Sequence, residues 1–232
     1  MGELGDDRRA RVERARLYLV CDARPEGFLR AALAGGVDVL QLRDKAADDA
    51  AILRAAEVFR ACCDDAGALF VVNDRPDLAV AADADGVHVG QGDAAVEVAR
   101  AVVGEDRLIG RSTHSPEQLE ATQAATPETA RAEGGAPRRG VDYVAVGPVY
   151  ETPTKPGRPA VGLEPVRYAA ARARVPWFAI GGIAPDTIGP VLDAGARRVV
   201  VVRAIAGAAD PEGAARALRA ALDREEAPVG PA

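Results

Sequence analysis

The chain has 232 residues, 48% of them apolar and 28% charged, with a net charge of −6. That length can bury one large core or two small ones, and the negative balance gives the surface no general attraction for nucleic acid, so any anion site has to be a local cluster. No apolar run approaches the roughly 20 residues that cross a bilayer, and the first residues lack the apolar core of a signal peptide.

In chain order, residues 1–15 carry Glu3, Asp6, Asp7, Arg8, Arg9, Arg11, Glu13 and Arg14 and are expected to form a charged, flexible extension. Eight short runs rich in β-branched and apolar residues follow, at 17–21, 37–42, 68–72, 86–89, 107–110, 143–146, 177–180 and 198–202. Helical segments lie between them, at about 26–35, 47–66, 76–83, 93–103, 115–132, 164–173, 184–194 and 211–222. This alternation predicts right-handed βαβ units and a parallel sheet. Eight such units match a single (β/α)8 TIM barrel over residues 16–223, with 224–232 as a flexible tail. A doubly wound open sheet competes less well, because Cys21-Asp22-Ala23-Arg24-Pro25-Glu26 stands where its Gly-x-Gly-x-x-Gly turn belongs. The phrases at 34–38, 84–88 and 194–198 each place a glycine ahead of a strand, which is expected to end a helix there. Residues 133–140 look inserted, and 147–163 form a long Pro- and Gly-rich loop of the kind that often carries function.

In such a barrel the chemistry sits where strands end. Gln41, Arg43 and Lys45 follow the second run, spaced by two and so on one face. Asn73 and Asp74 follow the third, and His88, Gln91 and Asp93 stand at or after the fourth. Ser112 and His114 follow the fifth, Thr152, Thr154 and Lys155 the sixth, Gly181 and Gly182 the seventh, and Arg203 the eighth. All but two of the 29 basic residues are arginine, and both lysines and both histidines fall on this rim. Arg43, Lys45 and Lys155 with Asn73 and Ser112 would bind an anion strongly. Asp74 and Asp93 with a phosphate suit Mg2+, although capping of the following helices accounts for them too. Gly181-Gly182 lies where barrels cradle phosphate, but it also serves as a plain tight turn. His88, between Val87 and Val89, reads as a core histidine. Cys21, Cys62 and Cys63 fit neither a disulfide framework nor a zinc site, which favours a reducing cytoplasm.

Gln-Leu-Arg-Asp-Lys (41–45), Asn-Asp-Arg (73–75), Gly-Val-His-Val-Gly-Gln-Gly-Asp (86–93), Gly-Arg-Ser-Thr-His-Ser (110–115), Gly-Pro-Val-Tyr-Glu-Thr-Pro-Thr-Lys (147–155), Ala-Ile-Gly-Gly-Ile (179–183) and Val-Val-Arg-Ala-Ile (201–205) together resemble the thiamine phosphate synthase family. The resemblance implies a transferase of thiamine biosynthesis. It would join 4-amino-2-methyl-5-pyrimidinylmethyl diphosphate to 4-methyl-5-(2-phosphoethyl)thiazole and release pyrophosphate. Its partners are then two small phosphorylated substrates, with no nucleic acid and no membrane; monomer and homo-oligomer are both left open. The resemblance implies that Gln41, Leu42, Arg43, Asp44, Lys45, Asn73, Ser112 and Lys155 hold the pyrimidine diphosphate, with Arg43, Lys45, Ser112 and Lys155 catalytic. Thr152, Pro153, Thr154, Gly181, Gly182, Val202 and Arg203 would hold the thiazole phosphate, and Asp74 and Asp93 the Mg2+. Two departures stand out: the stretch near 126–140 is longer than usual, and Arg203 replaces a small hydroxyl residue. The competing readings are a thiazole tautomerase or regulator of the same superfamily and a non-catalytic phosphate-binding barrel.

Overall fold

The eight runs pair in parallel and in sequence order, and the last returns to the first to close a barrel. In the computed structural model, which describes residues 3–124, 140–152 and 159–224, the strands are β1 (Leu17–Cys21), β2 (Val39–Leu42), β3 (Leu69–Asn73), β4 (Gly86–Val89), β5 (Leu108–Thr113), β6 (Tyr143–Val146), β7 (Trp177–Ile180) and β8 (Val199–Val201). The helices are α1 (Glu3–Arg14), α2 (Glu26–Ala34), α3 (Asp49–Ala66), α4 (Pro76–Ala81), α5 (Val96–Val103), α6 (Pro116–Ala124), α7 (Glu164–Arg172), α8 (Ile188–Asp193), α9 (Arg203–Ala206) and α10 (Pro211–Arg224). The expected single (β/α)8 barrel is therefore the fold.

Strands of a closed parallel barrel are covered on both faces, so they read as continuous apolar runs; β1, β2, β4, β6 and β8 are buried at every position. One set of side chains, including Leu19, Leu40, Leu42, Phe59 and Phe70, fills the layer between strands and helices. A second set, including Tyr18, Val20, Val71, Tyr143, Phe178 and Val200, fills the barrel itself. There the rings of Tyr18, Tyr143 and Phe178 meet with centroids 5.5–6.0 Å apart. Gly110 makes that arrangement possible, since a Cβ on it would lie 2.1 Å from Cζ of Tyr143.

A repeated aspartate fastens the N-terminal end of the barrel. Asp38, Asp85 and Asp142 each precede an even-numbered strand, and each carboxylate accepts a backbone N–H at the start of the strand before it. The donors are Leu17 at 3.0 Å, Phe70 at 2.8 Å and Ile109 at 2.8 Å. Arginines complete the three sites: Arg219 on Asp38, Arg8 and Arg60 on Asp85, Arg9 and Arg100 on Asp142.

Two of those arginines lie in the stretch expected to be a flexible extension. That expectation is corrected, because Glu3–Arg14 is a helix docked under the barrel. Arg8 Nε donates to Asp85 at 2.9 Å, Arg9 Nε to Asp142 at 2.9 Å, and Arg11 Nη2 to the Ala68 carbonyl at 2.9 Å. Val12 and Ala15 pack with Leu69 and Leu108 at the barrel floor. The docked face is charged because the surface it meets is a ring of carboxylates and carbonyls. The expected tail at 224–232 lies outside the described residues apart from Arg224, which ends α10.

Burial opposes ionisation of Asp85, but the Phe70 N–H, Arg60 and Arg8 outweigh it and hold its carboxyl below the usual aspartate range. A depressed folded-state value adds stability that is fully present above the unfolded value, near 4, and is lost as pH falls through the folded one. The midpoint of thermal unfolding should therefore fall with acid below about pH 4, and Asp85→Asn should flatten that dependence; identical acid profiles for the two proteins would contradict the assignment.

Other differences are local. β5 runs on to Thr113 because Ser112 and Thr113 pair with Ala145 and Val146, although Gly110-Arg111-Ser112-Thr113 reads as polar. The phrase at 84–88 does not end a helix with its glycine: Asp83 takes the positive φ (46°), and Gly86 is the first residue of β4. α8 starts later than expected because Thr187 Oγ1 accepts the Ala184 N–H in a preceding turn. The inserted stretch lies outside the described residues except for Gly140.

Candidate active site

Two adjoining cavities, of about 130 and 70 Å3, open at the C-terminal end of the barrel. Ser112, Ile180, Val200 and Val202 line both, so the cavities share a wall.

Gln41, Arg43, Lys45, Asn73, Asp74, Asp93 and Ser112 line the smaller cavity. Gln41 near the end of β2 and Arg43 and Lys45 just beyond it all border this cavity, as their i, i+2 spacing leads one to expect. Between them, the side chains of Leu42 and Asp44 are turned elsewhere, which leaves their backbone as the part that a ligand here could meet. Leu42 packs into the layer under the helices, and the Asp44 carboxylate accepts the N–H groups of Ala46 and Ala47 at 3.1 and 3.2 Å. Arg43 is half-buried, and among the described residues no carboxylate or carbonyl takes its guanidinium. Lys45 Nζ lies 3.1 Å from Asp74 Oδ2.

Neither Asp74 nor Asp93 caps a helix. The α4 cap is Arg75 and the α5 cap is Ala95, both without a side-chain capping bond. Asp93 instead accepts the Gly90 N–H at 2.9 Å. Asp74 has φ 62°, in the left-handed region, held by its N–H on the His88 carbonyl at 2.8 Å. A non-glycine residue kept in that conformation is a form of strain that clusters at functional sites. Among the described residues no group of three or more His, Cys, Asp or Glu could hold a metal by itself. Asp74 and Asp93 both border the smaller cavity, two carboxylates of the number that an ion such as Mg2+ takes when substrate oxygens and water fill the rest of its coordination.

The larger cavity is lined by Ser112, His114, Thr152, Gly181, Gly182, Val202 and Arg203, with Ala204 beyond. Gly181 and Gly182 have φ 108° and 66°. A Cβ on Gly181 would lie 2.5 Å from Pro148 Cα, so this pair is more than a tight turn: it lets β7 run against the segment after β6. His114 Nδ1 bonds to the carbonyl of Gly147, which precedes a cis proline. The loop expected at 147–163 has its two ends fastened together, Val161 N–H to Pro148 O at 2.8 Å and Gly162 N–H to Val149 O at 3.2 Å. Pro153, Thr154 and Lys155 lie outside the described residues. The short helix α9, absent from the sequence reading, starts at Arg203, whose side chain is exposed. Backbone amides of loops after the seventh and eighth strands, with such a short helix, are the usual phosphate cradle of barrels.

His88 is buried, as its sequence neighbours suggest, but it is not a passive core residue. Its Nε2 bonds to Ser112 Oγ at 3.0 Å and its Nδ1 to Tyr143 Oη at 3.4 Å. Tyr143 Oη bonds to Tyr18 Oη at 3.0 Å, and Gln41 Nε2 donates to Tyr18 Oη at 2.6 Å. Gln91 Nε2 donates to the Ser112 carbonyl at 2.7 Å. The sequence reading missed Tyr18 and Tyr143, whose only signal was a hydroxyl inside an apolar strand. Burial raises both phenols above their ordinary range, for Tyr18 against the hydrogen bonds from Tyr143 and Gln41, so both stay protonated. Burial also pushes the Cys21 thiol up to about 12 and Cys63 well above its ordinary value; these thiols are poor nucleophiles.

The profile of the family described as thiamine monophosphate synthase matches residues 17–205. The chain is 51% identical over 226 residues to the thiamine-phosphate synthase of Saccharopolyspora erythraea, covering 92% of this chain and 96% of that one. It is 53% identical over 220 residues to that of Thermobifida fusca, covering 92% and 95%. Among solved structures, the thiamine phosphate pyrophosphorylase from Pyrococcus furiosus superposes with a TM-score of 0.79 at 30% identity, covering 94% of this chain and 99% of that one. A 3-hexulose-6-phosphate synthase with a TM-score of 0.59 at 24% identity shares the fold.

Proposed function

The chain belongs to the thiamine monophosphate synthase family, and from that membership we propose how its rim divides the work of making thiamine phosphate. The smaller cavity takes the pyrimidine diphosphate and the larger one the thiazole phosphate. The observation that carries this division is the pair of cavities sharing Ser112, one bordered by cations and carboxylates, the other by glycines and the start of α9.

The substitution is dissociative in this reading: diphosphate departs, and the thiazole nitrogen captures the pyrimidinylmethyl cation. Charge then builds on the leaving diphosphate, and preorganised donors aimed at that charge supply most of the acceleration. Arg43, Lys45 and Lys155 bind it as cations, and Ser112 and Asn73 as hydrogen-bond donors. Asp74 and Asp93 would hold Mg2+, which when bound neutralises part of the same charge. Ile180, Val200 and Val202, the apolar wall common to both cavities, keep water from the cation. Thr152, Pro153, Thr154 and the backbone of Gly181, Gly182, Val202 and Arg203 seat the thiazole phosphate. No protein nucleophile is required, in keeping with the suppressed cysteines. A cytoplasmic location is part of the same proposal, supported by Cys21, Cys62 and Cys63 all being unpaired and buried.

The test is direct: the purified chain, both substrates and Mg2+ should yield thiamine phosphate and pyrophosphate. No product under any condition would refute the reading. Asp93→Ala should raise the Mg2+ concentration needed for half-maximal turnover at least about tenfold, since loss of even an outer-shell partner of a metal typically costs about 10–100-fold in affinity, with little change in thermal stability because Asp93 caps nothing. A large fall in Tm with intact Mg2+ dependence would assign it a structural part instead.

A further inference from the structure

We propose that the buried chain Gln41–Tyr18–Tyr143–His88–Ser112 is a positioning relay that couples the hydrogen-bond polarity of Gln41 in the smaller cavity to that of Ser112 in the wall common to both. It rests on the function proposed above for the identity of the ligands, but not for its own geometry.

The links are 2.6, 3.0, 3.4 and 3.0 Å in order, the third being the longest. Every member is buried, with relative exposures of 3, 1, 0, 7 and 6%, so each unmade bond leaves a polar group without water. Each hydroxyl brings one proton and a neutral imidazole brings one. The chain therefore has two self-consistent arrangements.

In the first, the Gln41 amide N–H donates to Tyr18, Tyr18 to Tyr143, and Tyr143 to His88 Nδ1. His88 then carries its proton on Nε2 and donates to Ser112 Oγ. The Ser112 hydroxyl proton is left to donate to a ligand, and Gln41 Oε1 to accept from one. In the second arrangement every bond reverses: the Gln41 amide is flipped, His88 carries Nδ1–H, and Ser112 spends its proton on His88. Any mixture either leaves a bond unmade or makes one tyrosine a double acceptor whose own O–H has no partner in the chain.

Only the first arrangement gives Ser112 a donor for an anionic phosphate while Gln41 offers a carbonyl oxygen to an amino-substituted ring. It is also the one in which the Gln41 amide stands as a donor to Tyr18. The proton on one imidazole nitrogen thus sets both ends of the pyrimidine site: Tyr143 acts wholly through its neighbours, and Tyr18 and His88, which border the smaller cavity themselves, pass the polarity on to Gln41 and Ser112.

The chain has only two histidines, so the experiment is clean. Long-range 1H–15N spectra of the full-length labelled protein in mildly alkaline buffer report which nitrogen carries the proton. His114 Nδ1 faces the Gly147 carbonyl, which can only accept; His114 should be the Nδ1–H tautomer and His88 the Nε2–H tautomer. Tyr143→Phe should turn the His88 signals into a tautomer mixture, leave those of His114 unchanged, and lower kcat roughly tenfold, the order of one lost hydrogen bond, with little change in KM for the thiazole phosphate. If that variant fails to fold, Tyr18→Phe should produce the same mixing from one link further away. A His88 ring found as Nδ1–H in the resting protein overturns the relay, as does an unshifted Nε2–H tautomer in both variants. The spectra need no substrate, so a protein that made no thiamine phosphate would refute the function and leave the relay still decided by its tautomers.

Discussion

Replacing Arg43 by alanine is expected to lower kcat/KM by about 10²–10³, or about 2.7–4 kcal/mol of transition-state stabilisation, while thermal unfolding stays nearly where it was. The two halves of that expectation have separate causes. Arg43 is half-buried in the wall of the smaller cavity and reaches a second opening beside Arg203, and among the described residues nothing in the protein pairs with its guanidinium. A side chain without protein partners contributes little to folding, so a change within about 0.5 kcal/mol is expected, or less than about 2 °C in Tm for a chain of this size. What it contributes is a planar pair of donors toward a polyanion. The loss should fall more on kcat than on KM for the pyrimidine diphosphate, because the leaving group carries most charge in the transition state. A variant with near-normal turnover and a much lower Tm would place Arg43 in the scaffold.

Asp142→Ala should have the opposite profile, a large loss of stability with the rim chemistry preserved in whatever protein remains folded. Arg100 is 2% exposed and donates to the carbonyls of Gly104, Arg107 and Gly140 as well as to Asp142 at 2.7 Å. Asp142 also takes Arg9 from α1 and the Ile109 N–H. Removing the carboxylate leaves a buried cation uncompensated and frees α1 on one side, which typically costs about 3–5 kcal/mol. At 2–4 °C per kcal/mol the midpoint should fall by roughly 10 °C. A shift of less than about 2 °C would mean that the carbonyls alone satisfy Arg100, and that the aspartate ring is decoration on the barrel floor.

The barrel was legible because a parallel strand buried on both faces is a continuous apolar run, and such a run is visible without partners. What escaped was polar structure on the inside. α1 reads as solvated because its arginines are many, yet Arg8 and Arg9 meet aspartates that lie 77 and 133 residues away in sequence. Tyr18 and Tyr143 read as core because nothing in a strand pattern tells which hydroxyls converge once the barrel closes. The rim residues were legible for the converse reason: strand ends in a barrel of known handedness have only one place to go. Asp74 and Asp93 were ambiguous by sequence, since a carboxylate ahead of a helix is also a cap. The backbone removes the capping alternative, for both helices begin with another residue as the cap. Within the 41–45 motif the side chains divide: those of Gln41, Arg43 and Lys45 border the cavity, while Leu42 packs under the helices and Asp44 accepts backbone N–H groups of the loop.

The two lysines remain the sharpest statement about the chemistry. Lys45 stands at the smaller cavity beside Asp74, and Lys155 belongs to the segment after β6, four strands further round the ring. If both neutralise one leaving diphosphate, they have to reach it from opposite sides of the barrel mouth. A crystal structure with Mg2+ and a non-hydrolysable pyrimidine diphosphate tests this most directly. The result expected is a single diphosphate within hydrogen-bonding distance of Lys45, Lys155 and Ser112, with the metal on Asp74 and Asp93. A diphosphate bound by Arg203 and the Gly181-Gly182 amides, with either lysine left in solvent, would contradict the account.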